Sequence, residues 1–309
     1  MRRFLNSIES QTKLPDEVVV VDGGSDDGTV EILESWSAQT SVAVRVVVEP
    51  GANISVGRNI AIDSALHPLI AVTDAGTTLD PGWLESLAEL AKPEIGVVSG
   101  FFDPEGDTFL GRAIAAAVMP TLGEIDASNF LPSSRSVMFR KSIWEQVGGY
   151  PEWLDYCEDL VFDLAMKDAG GNFAFASDAR VTWNARPDLK SYAKQYFRYA
   201  RGDGKANLWL KRHVARYVAY GVGSAFLLLG VLDPRWLLVD LVGGAIHLRK
   251  FAYRVSTRRS TFRSPFEWLA AIGLVPIVVA IGDISKMVGY PRGVSWRASR
   301  RLPAGVSFK

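Results

Sequence analysis

Residues 15–29 read PDEVVVVDGGSDDGT, and this stretch decides the fold class. The four valines from Val18 to Val21 are β-branched and unbroken by polar residues, as in a buried strand. The strand ends at Asp22, glycines follow, and residues 29–36 have the apolar spacing of a helix. A strand, a glycine-containing turn and a helix in this order begin a parallel α/β unit.

The same alternation continues to about residue 100. Further strands are predicted at 42–48, 69–73 and 95–99, with helices at 55–66 and from Pro81. Ligands of such sheets bind outside the carboxyl ends of the strands, and Asp22 and Asp74 both lie at strand ends with a glycine close behind. Either aspartate alone is better read as a turn residue. The two together favour a nucleotide site.

The composition excludes several classes of protein. The chain has 309 residues, 48% hydrophobic and 22% charged, which is ordinary for a folded protein and argues against disorder. The single cysteine, Cys157, permits no intrachain disulfide. The three histidines have no ligand-like spacing, so a histidine-based metal site is not expected. The start of the sequence is too polar for the apolar core of a signal peptide.

Charge is divided unevenly along the chain. Residues 1–210 hold 30 acidic and 18 basic residues, a balance of −12, whereas residues 211–309 hold 4 acidic and 16 basic residues, a balance of +12. A basic segment fits either nucleic acid or an anionic membrane surface. Long apolar runs interrupt this one, so we predict a membrane partner and no nucleic acid.

The apolar runs of the C-terminal part predict membrane attachment. Residues 214–232 have about the length of a span, residues 236–247 are apolar but short, and six basic residues lie between 249 and 263. The positive-inside rule then predicts a helical hairpin over 214–247 and a re-entrant or interfacial segment over 266–289, broken at Pro276. The alternative is a buried helical subdomain of a soluble protein. The tail is also predicted to be cytoplasmic because of its basic residues, Lys286, Arg292, Arg297, Arg300 and Arg301.

Four further motifs follow the opening stretch in order. They are Gly57-Arg58-Asn59, Asp74-Ala75-Gly76, Glu158-Asp159 and Gln195-Tyr196-Phe197-Arg198-Tyr199. All five together resemble family 2 glycosyltransferases, which have the GT-A fold, over residues 4–205. The resemblance implies a Rossmann-like mixed α/β sheet for residues 1–205 and a membrane-associated helical region for 206–309. It also implies a central first strand ahead of the helix at Phe4–Thr12, so either the native start lies upstream of Met1, which we favour because the later motifs remain together, or the protein is a degenerate member of the family.

The resemblance also implies the chemistry. Asp159 is the base that deprotonates the acceptor, with Glu158 beside it, and Asp74 holds Mg²⁺ or Mn²⁺ against the diphosphate of the donor. Gly76 stands where the family's Asp-x-Asp motif has its second carboxylate, which predicts weaker metal binding. Cys157 as a nucleophile is disfavoured because no paired base is evident. Asp22 is implied to accept hydrogen bonds from the base of the nucleotide, and Arg58 to line the nucleotide pocket. The other implied donor and acceptor contacts are Asp74, Gly76, Gln195, Arg198 and Tyr199.

The predicted function is that of an inverting hexosyltransferase. It moves a sugar from a nucleoside diphosphate sugar to a lipid-linked or polysaccharide acceptor, in cell-envelope polysaccharide synthesis on the cytoplasmic face of the inner membrane. A processive polysaccharide synthase is one alternative. A catalytically silent membrane scaffold that keeps the fold is the other.

Overall fold

The structure is a computed structural model that describes residues 1–300; Arg301 of the predicted basic tail lies outside the described residues. The helices are α1 (Arg2–Glu9), α2 (Thr29–Ser37), α3 (Ile54–Ser64), α4 (Trp83–Leu90), α5 (Phe109–Val118), α6 (Lys141–Val147), α7 (Glu158–Asp168), α8 (Leu189–Lys205), α9 (Leu210–Leu232), α10 (Arg235–Thr257) and α11 (Pro265–Ala298). The strands are β1 (Glu17–Asp22), β2 (Ala43–Val48), β3 (Leu69–Val72), β4 (Thr77–Leu79), β5 (Val97–Glu105), β6 (Val137–Arg140) and β7 (Phe173–Asn184).

The described chain forms two compact units. The first contains Met1–Asp103 and Leu122–Trp183, and the second contains Pro104–Thr121 and residues 184–300. The second unit therefore includes α5, which the sequence did not group with the C-terminal helices. The domain boundary at residue 205 stays a prediction.

The first unit is a mixed α/β structure with two sheets. β1 and β2 pair in parallel, with Val18 opposite Val44, as the alternating sequence pattern predicted. The other sheet has the order β3-β6-β5-β7-β4, and β6 is antiparallel to both β3 and β5. The strand β7 was not predicted, because its 12 residues alternate between buried and partly exposed positions without one apolar run.

A cavity of about 600 Å³ lies between the two sheets of this unit. Its lining includes Val18–Val21 of β1 and Leu69–Val72 of β3, together with Arg58 and Asp74. Among the described strands, β1 pairs with β2 alone and β3 with β6 alone, so each has an open edge.

The core of the first unit fixes the strand ends in place. Phe4, Leu5 and Ile8 form the buried face of α1 and pack in one cluster with Leu33 of α2 and Leu87 of α4. A second cluster joins β3, β6 and α7 through residues such as Val72, Phe139 and Phe162. The two clusters combine residues from Met1–Asp103 and from Leu122–Trp183, the two chain segments that make up the unit.

The second unit consists of helices that pack closely. A Cβ atom at Gly289 of α11 would overlap the carbonyl oxygen of Phe197, and one at Gly293 would overlap that of Arg201, so α8 and α11 approach at their backbones. Charged contacts add to the packing, because Arg112 of α5 lies 2.9 Å from Glu267 of α11. Arg258 donates hydrogen bonds to the carbonyl oxygens of Ala116, Met119 and Pro120 at the end of α5.

Two described helices are long and apolar enough to cross a membrane, by length and composition. They are α9 and α11. Large apolar side chains of α9 and α10 are exposed, among them Leu228, Val231 and Leu241. The helix α11 runs without a break through Pro276, contrary to the predicted break, since Val275, Val278 and Val279 around the proline are buried in the packing of this unit. The hairpin and the re-entrant segment stay predictions.

Candidate active site

Arg58 is the centre of the polar site in the first unit. It lies on α3, and its guanidinium donates one hydrogen bond to Asp74 (2.7 Å) and another to Glu158 (2.8 Å). The Arg58 and Glu158 side chains are buried, whereas 27% of the Asp74 side chain is exposed. Burial would lower the pKa of Arg58, but Asp74, Tyr150 and Glu158 act against it and the net direction is upward. Arg58 therefore keeps its positive charge inside the site.

The two acids that begin α7 differ in their environment. Glu158 is buried, and this burial, reinforced by the negative charge of Asp159, raises its pKa against the opposing effect of Arg58. Asp159 is partly exposed and accepts a hydrogen bond from the Leu160 N–H at 2.8 Å. Cys157 precedes them in the left-handed backbone region, with φ at 66°. A base must reach the acceptor, and of the two acids Asp159 is the more accessible.

Asp22 organises the turn that follows β1. Its carboxylate accepts hydrogen bonds from the Gly24 N–H (2.9 Å), the Ser25 N–H (2.6 Å) and the Ser25 hydroxyl (2.8 Å). The bond from the Ser25 N–H does most to lower the pKa of Asp22, against the effect of burial. A carboxylate has about four lone-pair sites, and three are used here. The contact between Asp22 and a nucleotide base stays a prediction.

Asn59 and Tyr150 contact each other next to Arg58. The Asn59 side chain accepts a hydrogen bond from the Tyr150 N–H (2.8 Å) and donates one to the Tyr150 carbonyl oxygen (2.9 Å). The Tyr150 ring is buried, stacks on Phe162 at 4.1 Å between centroids and lies 5.2 Å from the Arg58 guanidinium carbon. The sequence motif names Asn59 without a role, and none of the five motifs contains its partner Tyr150.

Arg135 lies at the same acid and was missed by the sequence analysis. Its Nε is 3.8 Å from Asp74 Oδ2, and its guanidinium faces the rings of Phe102 and Trp183. No motif marks Arg135 within the Ser133–Ser136 loop. The position of Arg135 follows only from the strand register. Val72 of β3 pairs with Val137 of β6, and two residues further along each chain Asp74 is opposite Arg135.

Gly76 and the residues around Asp74 bear on metal binding. The backbone of Gly76 is not in the left-handed region, and a Cβ atom there would meet nothing within 4 Å. Among residues 1–300, no group of three or more histidine, cysteine or acidic side chains is arranged to hold a metal ion. Asp74 nevertheless offers a hard carboxylate oxygen, Oδ2, of the kind that divalent ions prefer. The cationic group beside this oxygen is that of Arg135, whose Nε is 3.8 Å away. The residues fit a divalent ion whose other ligands come from the donor and from water.

The remaining motif lies on α8 in the second unit. Gln195 is buried and donates a hydrogen bond to the Tyr199 hydroxyl at 2.7 Å, so two members of the motif contact each other. The neighbouring Tyr196 ring lies 4.6 Å from Lys286 Nζ of α11. The contacts predicted for Gln195, Arg198 and Tyr199 with substrate stay predictions.

Comparisons with known proteins identify the family and the fold that this chain resembles. Residues 1–137 match the family model described as glycosyl transferase family 2. Glycosyltransferase AglE of Haloferax volcanii is 26% identical over 249 residues, which are 78% of this chain and 80% of that protein. O-antigen chain rhamnosyltransferase RfbN of Salmonella typhimurium is 23% identical over 207 residues, which are 62% of this chain and 65% of that protein.

A solved structure has the same fold. The mannosyltransferase of Pyrobaculum calidifontis, in complex with GDP-Man and Mn²⁺, superposes with a TM-score of 0.53 and 18% identity, covering 96% of this chain and 82% of that one. The fold is thus that of a GT-A glycosyltransferase. More particularly, the protein is a glycosyltransferase, and the match of residues 1–137 to family 2 confirms the resemblance for the three motifs that lie within those residues.

Proposed function

We propose that the protein transfers a sugar, with inversion at the anomeric carbon, from a nucleoside diphosphate sugar to the hydroxyl of a lipid-linked or polysaccharide acceptor. The observation that carries the proposal is the division of the acids around Arg58. Asp74 and Glu158 are engaged by its guanidinium, whereas Asp159, next to Glu158, is partly exposed. One acid is thereby left for proton transfer.

The reaction is a single displacement. The acceptor oxygen forms a bond to the anomeric carbon as the bond from that carbon to the diphosphate oxygen breaks, and the electron pair leaves with the diphosphate. Asp159 takes the acceptor proton, a role that typically contributes about 10²- to 10⁴-fold to a rate. Arg58 keeps Glu158 and Asp74 in place and supplies positive charge near the leaving group.

Mg²⁺ or Mn²⁺ is the proposed cofactor, with Asp74 as its protein ligand. Such an ion, when bound, neutralises part of the charge on the leaving diphosphate. The Mn²⁺ in the Pyrobaculum mannosyltransferase complex supports this choice for the fold. Gly76 leaves Asp74 without a second acid in the motif, so the ion is expected to bind tightly only together with the donor.

The acceptor is proposed to be presented at a membrane. The apolar, exposed surfaces of α9 and α10 and the length of α11 support attachment. The basic segment 249–263 supports placing the catalytic domain on the cytoplasmic side of the inner membrane. O-antigen chain rhamnosyltransferase RfbN, one of the relatives, is named for work on an envelope polysaccharide, which fits such an acceptor.

The test is nucleotide release from a panel of UDP-, GDP- and dTDP-sugars, with membranes that contain the full chain and added Mn²⁺ or Mg²⁺. We expect release with one donor and a loss of about 10²-fold or more in kcat for Asp159→Asn. Asp168→Asn is the matched control, because Asp168 is exposed at the far end of α7.

Three outcomes separate the possibilities. Full activity of Asp159→Asn would show that another group is the base. Release with no donor, together with no nucleotide binding, would favour the silent scaffold. Many sugars added to each acceptor chain before its release would favour the processive synthase.

A further inference from the structure

We propose that Arg135 binds the diphosphate of the sugar donor beside Asp74. This inference rests on the proposed function and adds a donor-binding residue that none of the five motifs contains. It follows from three properties of Arg135: its register, its incompletely used guanidinium and its fixed orientation between two aromatic rings.

The register of the sheet puts Arg135 at the reaction site. Val72 and Val137 are the last matched pair of β3 and β6, and the two chains continue past it toward Asp74 and Arg135. Asp74 lies beyond the carboxyl end of β3, where ligands of α/β sheets bind. Arg135 is therefore carried to the site by the backbone pairing itself, and a shift of one residue would turn it to the other face.

The charge of Arg135 is only partly neutralised by the protein. Its carboxylate neighbour is 3.8 Å away, and Asp74 already receives a 2.7 Å hydrogen bond from Arg58. Arg135 Nη1 donates to the Ser133 hydroxyl at 2.8 Å, while Nε is buried without a hydrogen-bond partner among the described residues. A buried N–H that makes no bond costs free energy, so the protein leaves part of the hydrogen-bonding capacity of this guanidinium unused.

Two aromatic rings orient the guanidinium. Its central carbon lies 4.8 Å from the Trp183 ring centroid and 5.6 Å from that of Phe102, both within the range of cation–π contacts. With 20% of the side chain exposed, the group is held but reachable. A planar guanidinium fixed in this way presents a fork of N–H donors that matches a phosphate.

The chemical class of the ligand follows from the local charges. Glu158, Asp159 and Asp74 surround Arg58, so the protein already offsets part of its single positive charge. A nucleoside diphosphate adds at least two negative charges, which Arg58 alone does not offset. Arg135 supplies the next positive charge at Asp74 and needs no proton transfer to stabilise the leaving diphosphate.

The experiment measures binding by the full chain in detergent, using nucleoside diphosphates and the corresponding nucleosides as probes, with and without Mn²⁺. All probes carry the nucleobase that the wild type prefers. In Arg135→Gln we expect affinity for the diphosphate to fall about 10-fold or more, with affinity for the nucleoside unchanged, because one charged hydrogen-bonding group is lost. Arg135→Lys is expected to recover part of the loss. Arg45→Gln is the control, since Arg45 is exposed on β2.

The outcomes distinguish this inference from the proposed function. If the wild type binds and turns over a donor but Arg135→Gln has the same diphosphate affinity, the inference about Arg135 is wrong and the transferase remains. Equal losses for nucleoside and diphosphate would show that Arg135 only supports the fold, which also overturns the inference. If the wild type binds no nucleoside diphosphate at all, the proposed function is wrong, and the inference about Arg135 is wrong with it.

Discussion

Arg58 and Glu158 form a buried ion pair across 100 residues of sequence, with 2.8 Å between Nη1 and Oε1. The pair joins α3 to the first turn of α7, and so it ties the acids of the site to the strand end at Asp74. Because 11% of one side chain and 9% of the other are exposed, water cannot replace either partner well.

Breaking this pair is expected to destabilise the protein. In Arg58→Met the carboxylate of Glu158 is left buried without its cation, which should lower the free energy of unfolding by about 3 kcal/mol. The double variant Arg58→Met/Glu158→Gln should recover part of that loss because the buried charge is gone. Thermal unfolding of the full chain in detergent measures both.

The matched control is Arg180→Met. Arg180 pairs with Asp103 at 3.2 Å, but both side chains are about 40% exposed, so the loss should be below about 1 kcal/mol. A loss for Arg180→Met as large as that for Arg58→Met would contradict the account.

A second carboxylate at position 76 is expected to strengthen metal binding. The backbone at Gly76 is not left-handed and the space around it is open, so Gly76→Asp should fold normally. The Mn²⁺ concentration for half-maximal donor binding should fall about 10-fold, as about 1.4 kcal/mol of added affinity would give. Gly123→Asp, which adds the same charge at another open glycine, should leave the Mn²⁺ requirement unchanged. An unchanged requirement in Gly76→Asp would contradict the prediction that position 76 lies within reach of the ion.

Asp163 is expected to make stability depend on pH. It is buried on α7, and burial, followed by the charge of Asp159, raises its pKa well above the ordinary value. The unfolded chain therefore releases this proton first, near pH 4, and stability falls as pH rises from there to the folded pKa, by about 1.4 kcal/mol for each unit of the shift. Asp163→Asn removes that fall.

Thermal unfolding between pH 4 and pH 8 tests this directly. Relative to the wild type, Asp163→Asn should gain stability as pH rises. Asp168→Asn, an exposed position on the same helix, should follow the wild type at every pH. Parallel curves for Asp163→Asn and the wild type would show that Asp163 does not hold a proton in the folded state.

Two adjacent glycines provide a test of the Asn59 contact. Gly148 and Gly149 both have φ at 78°, but a Cβ atom at Gly149 would lie 2.7 Å from Asn59 Oδ1, whereas one at Gly148 meets nothing within 4 Å. Gly148→Ala should cost about 1 kcal/mol of backbone strain. Gly149→Ala should cost about 2 kcal/mol more through overpacking, and it should also weaken donor binding because Asn59 positions Tyr150 under Arg58. Similar losses in both variants would argue against that role of Asn59.

The helix α11 offers a comparable pair in the second unit. Gly289 lies against the Phe197 carbonyl oxygen of α8, whereas a Cβ atom at Gly273 would meet nothing within 4 Å. Gly289→Ala should separate the helices and lower stability by about 2 kcal/mol, and Gly273→Ala should be neutral or stabilising because alanine favours a helix by about 1 kcal/mol. Thermal unfolding in detergent measures the difference, and equal behaviour would mean that α8 and α11 are not packed at their backbones.

Local pattern in the sequence was enough for the elements that depend on neighbours along the chain. The valine run ending at Asp22, the glycine turn and the helices up to α4 follow from apolar periodicity and turn chemistry. The location of Asp74 at a strand end and of Glu158 and Asp159 in the first turn of a helix could be predicted in the same way. The division of charge between the two parts of the chain also needs nothing beyond composition.

Only the tertiary structure decided which of these residues meet. Arg58 reaches Glu158 across 100 residues, and Arg135 comes to Asp74 through the register of β3 and β6. Neither contact leaves a trace in the local sequence, because strand pairing and buried ion pairs depend on how distant segments pack. For the same reason the packed neighbours of Pro276, and not the proline alone, determined that α11 continues past it. Local preference sets the elements, and burial shared between distant elements sets the site.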